Sequence, residues 1–284
     1  MLGGFLLYAI GAAAAARAGI AINWTAYLLG QVVVTFIQLM AHYLNEYYDM
    51  DVDRLGADNR TWFSGGSGIL SKSSVSPSVV LSSGRLCAGA ALLTGVLASI
   101  ISPWMIPIVI ISLLGAWYYS SPPLSLMSSG WGELTTSIIV PLLVPLTGCV
   151  MQGALPSHEL WLVCLPLILV HFAMLISFEF PDRATDLAVS KKTLTVRLGL
   201  QNTARLASGL MGLAYLFLVV ILLYSKFPVL WMAVTVPLAV WQMVMLHRVI
   251  QSPTRARFHI LTTGGLGLFV LLAFLAFLGF FINV

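Results

Sequence analysis

WTAYLLGQVVVTFIQLMAHYLNEYYDMDVDR, residues 24–54, opens as an apolar run and closes in a row of carboxyl and carboxamide side chains. A helix rises about 1.5 Å per residue, so about 20 apolar residues suffice to cross the hydrocarbon of a bilayer. The polar ending is the informative part, because ionisable groups near membrane depth are expensive and mark functional sites. Asn45, Asp49 and Asp53 recur at four-residue spacing. They therefore stack on one helical face about a turn apart, whereas Glu46 and Asp51 point elsewhere. This stretch predicts a membrane helix with an oxygen-rich site at its polar end.

Apolar runs of the same kind fill most of the remaining chain. Segments 2–20, 24–46, 79–100, 104–120, 132–152, 159–180, 203–225, 228–249 and 259–282 each read as a span. The expectation is an all-α membrane protein with about nine transmembrane helices in a single domain, residues 1–284. Composition agrees, with 59% hydrophobic and 8% charged residues and a mean hydropathy of +0.96, against roughly 25% charged in an ordinary soluble domain. The alanine run at 12–16 imitates a signal-peptide cleavage region, but no basic stretch precedes it. The first segment is therefore read as a helix of the bundle.

Charge gives the orientation. Arg54, Arg60, Lys72, Arg85, Arg183, Lys191, Lys192, Arg197, Arg205, Arg248, Arg255 and Arg257 fall on one side of these spans, and only Arg17 and Lys226 on the other. The positive-inside rule turns the richer side to the cytoplasm. Of the acidic residues only Glu159 lies on the sparse side, so function is expected on the cytoplasmic face. Anionic lipid and a phosphorylated substrate account for the pI near 9.1, and no nucleic-acid partner is expected. Cys87, Cys149 and Cys164 form no CxxC pair and read as small buried residues.

A second acidic set, Asp182 and Asp186 in EFPDRATDLAVSKKTLTVRLG (179–199), repeats the recipe of acids followed by bases. Pro181 can turn the preceding helix and aim both carboxylates back at the bundle. Hard divalent ions such as Mg²⁺ take carboxylate oxygens together with substrate phosphates. The two sets together suggest a site for a metal-chelated diphosphate at the mouth of a helical bundle. Between them lie the glycine-rich stretch 64–68, SGGSG, whose N–H groups can face a phosphate, and WYYSSPPLSLMSSGWGE (117–133), which has no Lys or Arg. Tyr118 and Tyr119 there offer ring faces that suit a carbocation. Glu133, near the membrane without an evident partner, is a candidate proton acceptor. His42 and His171 are read as bundle residues.

NxxxDxxxD at 45–53, SGGSG at 64–68, YYSSPPLSL at 118–126 and EFPDxxxDxxxxKxTLxVRLG at 179–199 resemble, in order along the whole chain, the UbiA superfamily of intramembrane prenyltransferases. The wording of the last motif is most similar to the 1,4-dihydroxy-2-naphthoate polyprenyltransferase-like branch. The resemblance implies nine helices around a central cavity with a lateral opening to lipid and a cytoplasmic cap. It implies two Mg²⁺ ions, one held by Asn45, Asp49 and Asp53 and the other by Asp182 and Asp186, both on the diphosphate of a polyprenyl donor. Diphosphate contacts are expected from Lys192 and Arg60, with Lys191 and Ser67 beside them, and the acceptor is a hydroxylated aromatic ring. Three positions depart from the family pattern: Glu46 stands where Asp is usual, Ser190 where Gly is usual, and Pro122 ends any YxxxK arrangement.

Two other functions compete. A membrane terpene cyclase of the same superfamily would share the metal and diphosphate motifs, and the missing lysine favours it slightly. An ion-coupled transporter would place its acids near the bilayer midplane on broken helices, whereas here they gather at helix ends.

Overall fold

The computed structural model describes residues 2–70, 75–224 and 229–282. Lys72 and Lys226, counted in the charge asymmetry, lie outside the described residues. Among the described residues there is no strand. The helices are α1 (Leu2–Arg17), α2 (Trp24–Tyr48), α3 (Met50–Leu55), α4 (Pro77–Ile101), α5 (Met105–Ser120), α6 (Gly132–Ile138), α7 (Val144–Val150), α8 (His158–Glu179), α9 (Arg183–Ala188), α10 (Leu194–Tyr224), α11 (Val236–Gln251) and α12 (Arg255–Gly279). Among the described residues seven helical stretches are long and apolar enough to cross a membrane, and Gly3–Arg17 and Met105–Ser120 are shorter apolar helices.

Local chemistry sets the helix ends. Asn23 and Ser157 cap α2 and α8 by accepting the N–H groups of Ala26 and Leu160, and Pro77 stands in the first turn of α4, where its missing N–H costs nothing. Pro141 and Pro145 withhold two donors from one span, and between α6 and α7 the chain widens into a π-turn at Ile139–Leu143. Gly199, at φ 73° and ψ 155°, breaks α10 into a short turn and a long membrane span, a geometry open to glycine because it lacks Cβ.

Small residues let the helices approach closely. A Cβ on Gly11 of α1 would run into the carbonyl of Pro145, and one on Gly148 of α7 into the carbonyl of Tyr8. Leu7, Tyr8 and Ile10 are fully buried, so α1 is built into the bundle as the sequence reading expected. On α4, Gly84, Ala91 and Ala98 are buried at seven-residue intervals, and this helix packs chiefly on α2. The outward faces of α4 and α10 show Leu93, Val96, Ile100, Leu216, Val219 and Leu223. Such surface would aggregate in water and is ordinary against lipid. The chain is an integral, multi-pass membrane protein.

At one end of the bundle the spans stop being straight. Asp49 (φ −97°, ψ 2°) ends α2 and hinges it to the short α3, and α8 turns through Phe180 and Pro181 into α9. α3 and α9 pack on each other, bringing together parts of the chain far apart in sequence.

Candidate functional site

The hinge keeps the four-residue spacing. Asp49 N–H donates to the Asn45 carbonyl at 2.9 Å and Asp53 N–H to the Asp49 carbonyl at 2.8 Å, so all three side chains leave the same face one turn apart. Asn45 Nδ2 donates to Asp49 Oδ2 at 2.7 Å and to Ser120 Oγ at 3.2 Å, which fixes the carboxamide between the acidic row and the end of α5. On α9, Asp186 N–H donates to the Asp182 carbonyl at 2.9 Å. Thr193 Oγ1 donates to Asp186 Oδ2 at 3.3 Å, and Glu179 accepts the Thr195 N–H at 3.0 Å.

The two acidic sets meet at a single ammonium. Lys191 Nζ lies 2.7 Å from Asp49 Oδ1 and 4.0 Å from Asp186 Oδ1. Burial, then the charge of Asp49, pushes the Asp53 carboxyl up to about 7. Burial, then Asp186 and Asp53, pushes Asp182 up to about 8. Asp49 and Asp186 are also raised by burial, and Lys191 holds both back. Four crowded carboxylates with one ammonium between them form a cation-seeking site. Hard oxygen donors of this kind fit a divalent cation such as Mg²⁺. Among the described residues no three His, Cys, Asp or Glu side chains form a ready-made metal cage, and a cation arriving with phosphate oxygens does not need one.

Several expected ligands are placed differently. The motif spacing Lys191-Lys192-Thr193-Leu194 makes Lys191 the lysine of KxTL, and it is Lys191 that reaches the carboxylates, while Lys192 is exposed and its N–H caps the Ser128 carbonyl at 2.8 Å. Ser67 is exposed, and its N–H and hydroxyl donate to the two Glu46 carboxyl oxygens at 2.9 and 2.7 Å. Arg60 braces the same loop, with Nε donating to the Gly65 carbonyl at 2.6 Å and Nη2 to the Asp53 carbonyl at 3.2 Å. Ser190 takes the left-handed φ of 58°, the conformation that glycine adopts at least cost.

The 121–131 loop folds back on α5, with Leu126 and Met127 N–H donating to the Tyr118 and Tyr119 carbonyls at 2.9 Å each. Tyr119 stands within Coulombic reach of both Asp49 and Glu133, and Tyr118 is half-buried beside it. Glu133 is 4% exposed, and its Oε2 has no hydrogen-bond partner. His171 pairs with Ser137 Oγ at 3.0 Å, as a bundle residue should. Deeper in the bundle an apolar cavity opens between α2, α5 and the π-turn, lined by Val34, Ile37, Gln38, Val109, Ser112 and Leu143 among others. Gln38 is seven residues, two helical turns, before Asn45, so the cavity and the acidic site share one face of α2.

A model of the UbiA prenyltransferase family matches residues 5–262. The 1,4-dihydroxy-2-naphthoate octaprenyltransferase of Mycobacterium tuberculosis is 28% identical over 235 residues, covering 81% of this chain and 76% of that protein. The apo structure of a UbiA homologue from Aeropyrum pernix K1 superposes with a TM-score of 0.67 at 14% identity, over 95% of this chain and 94% of that one. A UbiA homologue from Archaeoglobus fulgidus bound to GPP and Mg²⁺ gives 0.66 at 15% identity, over 99% and 97%.

Proposed function

The chain belongs to the UbiA prenyltransferase family, and from that premise we propose that it moves a prenyl group from a polyprenyl diphosphate to a small hydroxylated aromatic, a quinone precursor. The observation that carries this reading is the meeting of Asp49 and Asp186 at Lys191, with Asp53 and Asp182 within reach of the same charges, two helical turns along one face of α2 from an apolar cavity. The diphosphate lies at the carboxylates and the prenyl chain in the cavity. The shorter helices α1 and α5 complete nine spans, the cap being the loops that carry the acids, and the charge asymmetry turns that cap to the cytoplasm.

Asn45, Asp49 and Asp53 would hold one Mg²⁺, and Asp182 and Asp186 a second. Bound there, Mg²⁺ supplies Lewis-acid stabilisation of the negative charge on the departing pyrophosphate. The Lys191 ammonium, held between Asp49 and Asp186, would add fixed positive charge beside the same oxygens, where it is worth most away from water. The allylic C–O bond breaks with its electron pair going to pyrophosphate, and the ring faces of Tyr118 and Tyr119 stand beside the resulting cation. A ring carbon of the acceptor then attacks, and the displaced proton passes to the unpartnered Oε2 of Glu133.

Product analysis by mass spectrometry tests this reading, with purified protein, Mg²⁺ and prenyl diphosphates of several lengths, with and without 1,4-dihydroxy-2-naphthoate. A prenylated aromatic is expected. Hydrocarbon or terpene alcohol formed without acceptor would make the chain a cyclase, and no Mg²⁺-dependent donor consumption would return the transporter reading.

The carboxylates also give a pH signature. Asp53 near 7 and Asp182 near 8 in the folded protein lie above the value of about 4 in an unfolded chain. Between those values the folded state keeps protons that the unfolded state has released, so stability is greatest on the acid side and falls as pH rises. Cation binding needs the ionised carboxylates. Mg²⁺ is therefore expected to raise the melting temperature much more at about pH 8.5 than at about pH 6, and an equal effect at both would remove these carboxylates as its ligands.

A further inference from the structure

Glu46 follows Asn45 directly and so leaves α2 about a quarter turn away from the acidic row. Its charge is near enough to add to the burial that raises Asp49 and Asp53, but its hydrogen bonds go elsewhere. Both its oxygens are instead engaged by one residue, the Ser67 N–H at 2.9 Å and the Ser67 hydroxyl at 2.7 Å. Ser67 belongs to the glycine turn 64–68, in which Gly65, Gly66 and Gly68 hold φ of 81°, 68° and 79°. A Cβ on Gly66 would run into the Asp53 carboxylate, so this turn forms a wall of the acidic site. Arg60 ties the wall from within, to the Gly65 and Asp53 carbonyls. Glu46 is its tie to the membrane helix.

We infer that Glu46 is a positioning residue, whose paired hydrogen bonds to Ser67 hold the glycine turn against Asp53 and so fix where Asp53 meets the diphosphate end of the substrate. The inference rests on the diphosphate reading above for its effect on turnover, but the clasp itself does not. Length is part of the fit. An aspartate at this position would withdraw the carboxylate by about one C–C bond, 1.5 Å, and bonds of 2.7 and 2.9 Å do not survive that stretch. The turn would keep Arg60, the Thr61–Ser64 hydrogen bonds and the Phe63–Phe178 stack but lose its tie to α2 at Ser67, next to the glycine that faces Asp53, while α2 and the bundle beneath it are untouched.

The test uses the full chain in detergent or nanodiscs with Glu46→Gln, Glu46→Asp, Ser67→Ala, Ser67→Thr and the double variant Glu46→Gln/Ser67→Ala. Amide hydrogen exchange over residues 61–70 reads the clasp without any need for activity, and is expected to quicken in every variant except Ser67→Thr, which keeps the hydroxyl. In turnover assays the same variants should raise KM for the prenyl diphosphate about tenfold with kcat changed by less than about threefold, as befits charge-assisted hydrogen bonds at a half-exposed position. The double variant should be no worse than either single one, because all three break one contact. Unchanged exchange in Glu46→Gln, or additive losses in the double variant, would overturn the clasp. An inactive wild-type protein would instead count against the diphosphate reading and leave the exchange result to decide the clasp.

Discussion

Asp49→Ala and Asp182→Ala are each expected to cut Mg²⁺-dependent turnover by at least about a thousandfold, the scale of losing a principal stabiliser of transition-state charge, while the substrate-free protein becomes no less stable. For Asp182 the two halves of that result have one cause. Asp182 makes no side-chain hydrogen bond among those seen in the structure, and burial with its acidic neighbours lifts its carboxyl to about 8. Holding it ionised therefore costs the fold free energy near neutral pH, and removing it relieves repulsion on Asp53 and Asp186. Asp182→Ala should melt slightly higher than wild type in cation-free buffer at about pH 8, and the gain should vanish when Mg²⁺ is added. Asp49 differs because it is paired with Lys191. Its removal frees an ammonium that already lies 4.0 Å from Asp186, so the fold keeps a partner for it. A residue needed only for packing would show the opposite pattern, with stability and activity lost together. Turnover within tenfold of wild type in either variant would sink the assignment of the site.

Sequence periodicity made much of this legible. Four-residue spacing is the helical period, so Asn45, Asp49 and Asp53 could be aligned on one face without any structure, and the hinge at Asp49 preserved that alignment because the i to i−4 hydrogen bonds continue through it. The apolar runs likewise announced the spans, although Pro141 and Pro145 concealed a π-turn within one of them. Three-dimensional closure was less accessible. That Asp49 and Asp186 share one ammonium follows from how α3 packs on α9, and no spacing along the chain encodes it. Lys191 could have been chosen over Lys192 from the register of KxTL alone. The loop residues are another matter: Arg60 and Ser67 were expected at phosphate, and each is held by the local backbone path or by Glu46. In irregular segments the partner of a polar group depends on turns that composition does not specify. The glycines of 64–68 showed that a tight turn was needed and gave no sign of what it presses against.

Lys191→Met should separate the two adjacent lysines and expose what the ammonium does in the resting protein. Methionine keeps much of the volume and removes the charge. Turnover is expected to fall about a hundredfold, since a fixed positive charge beside the departing pyrophosphate is lost, whereas Lys192→Met, at an exposed position, should stay within a few-fold of wild type. Breaking a buried ion pair by deleting one partner costs roughly 3–5 kcal/mol when the survivor keeps its charge. Asp49 is 7% exposed, and without Lys191 its carboxyl, already raised by burial, rises further. It can escape the cost by taking up a proton, which is easy on the acid side and progressively harder as pH increases. The melting temperature of Lys191→Met should therefore lie close to wild type at about pH 6 and well below it at about pH 8.5, and Mg²⁺ should narrow the gap by restoring positive charge to the same carboxylates. Full activity in Lys191→Met with loss in Lys192→Met would reverse the assignment. A stability gap independent of pH would mean that Lys191 is held there for packing, and that the carboxylates do not depend on its charge.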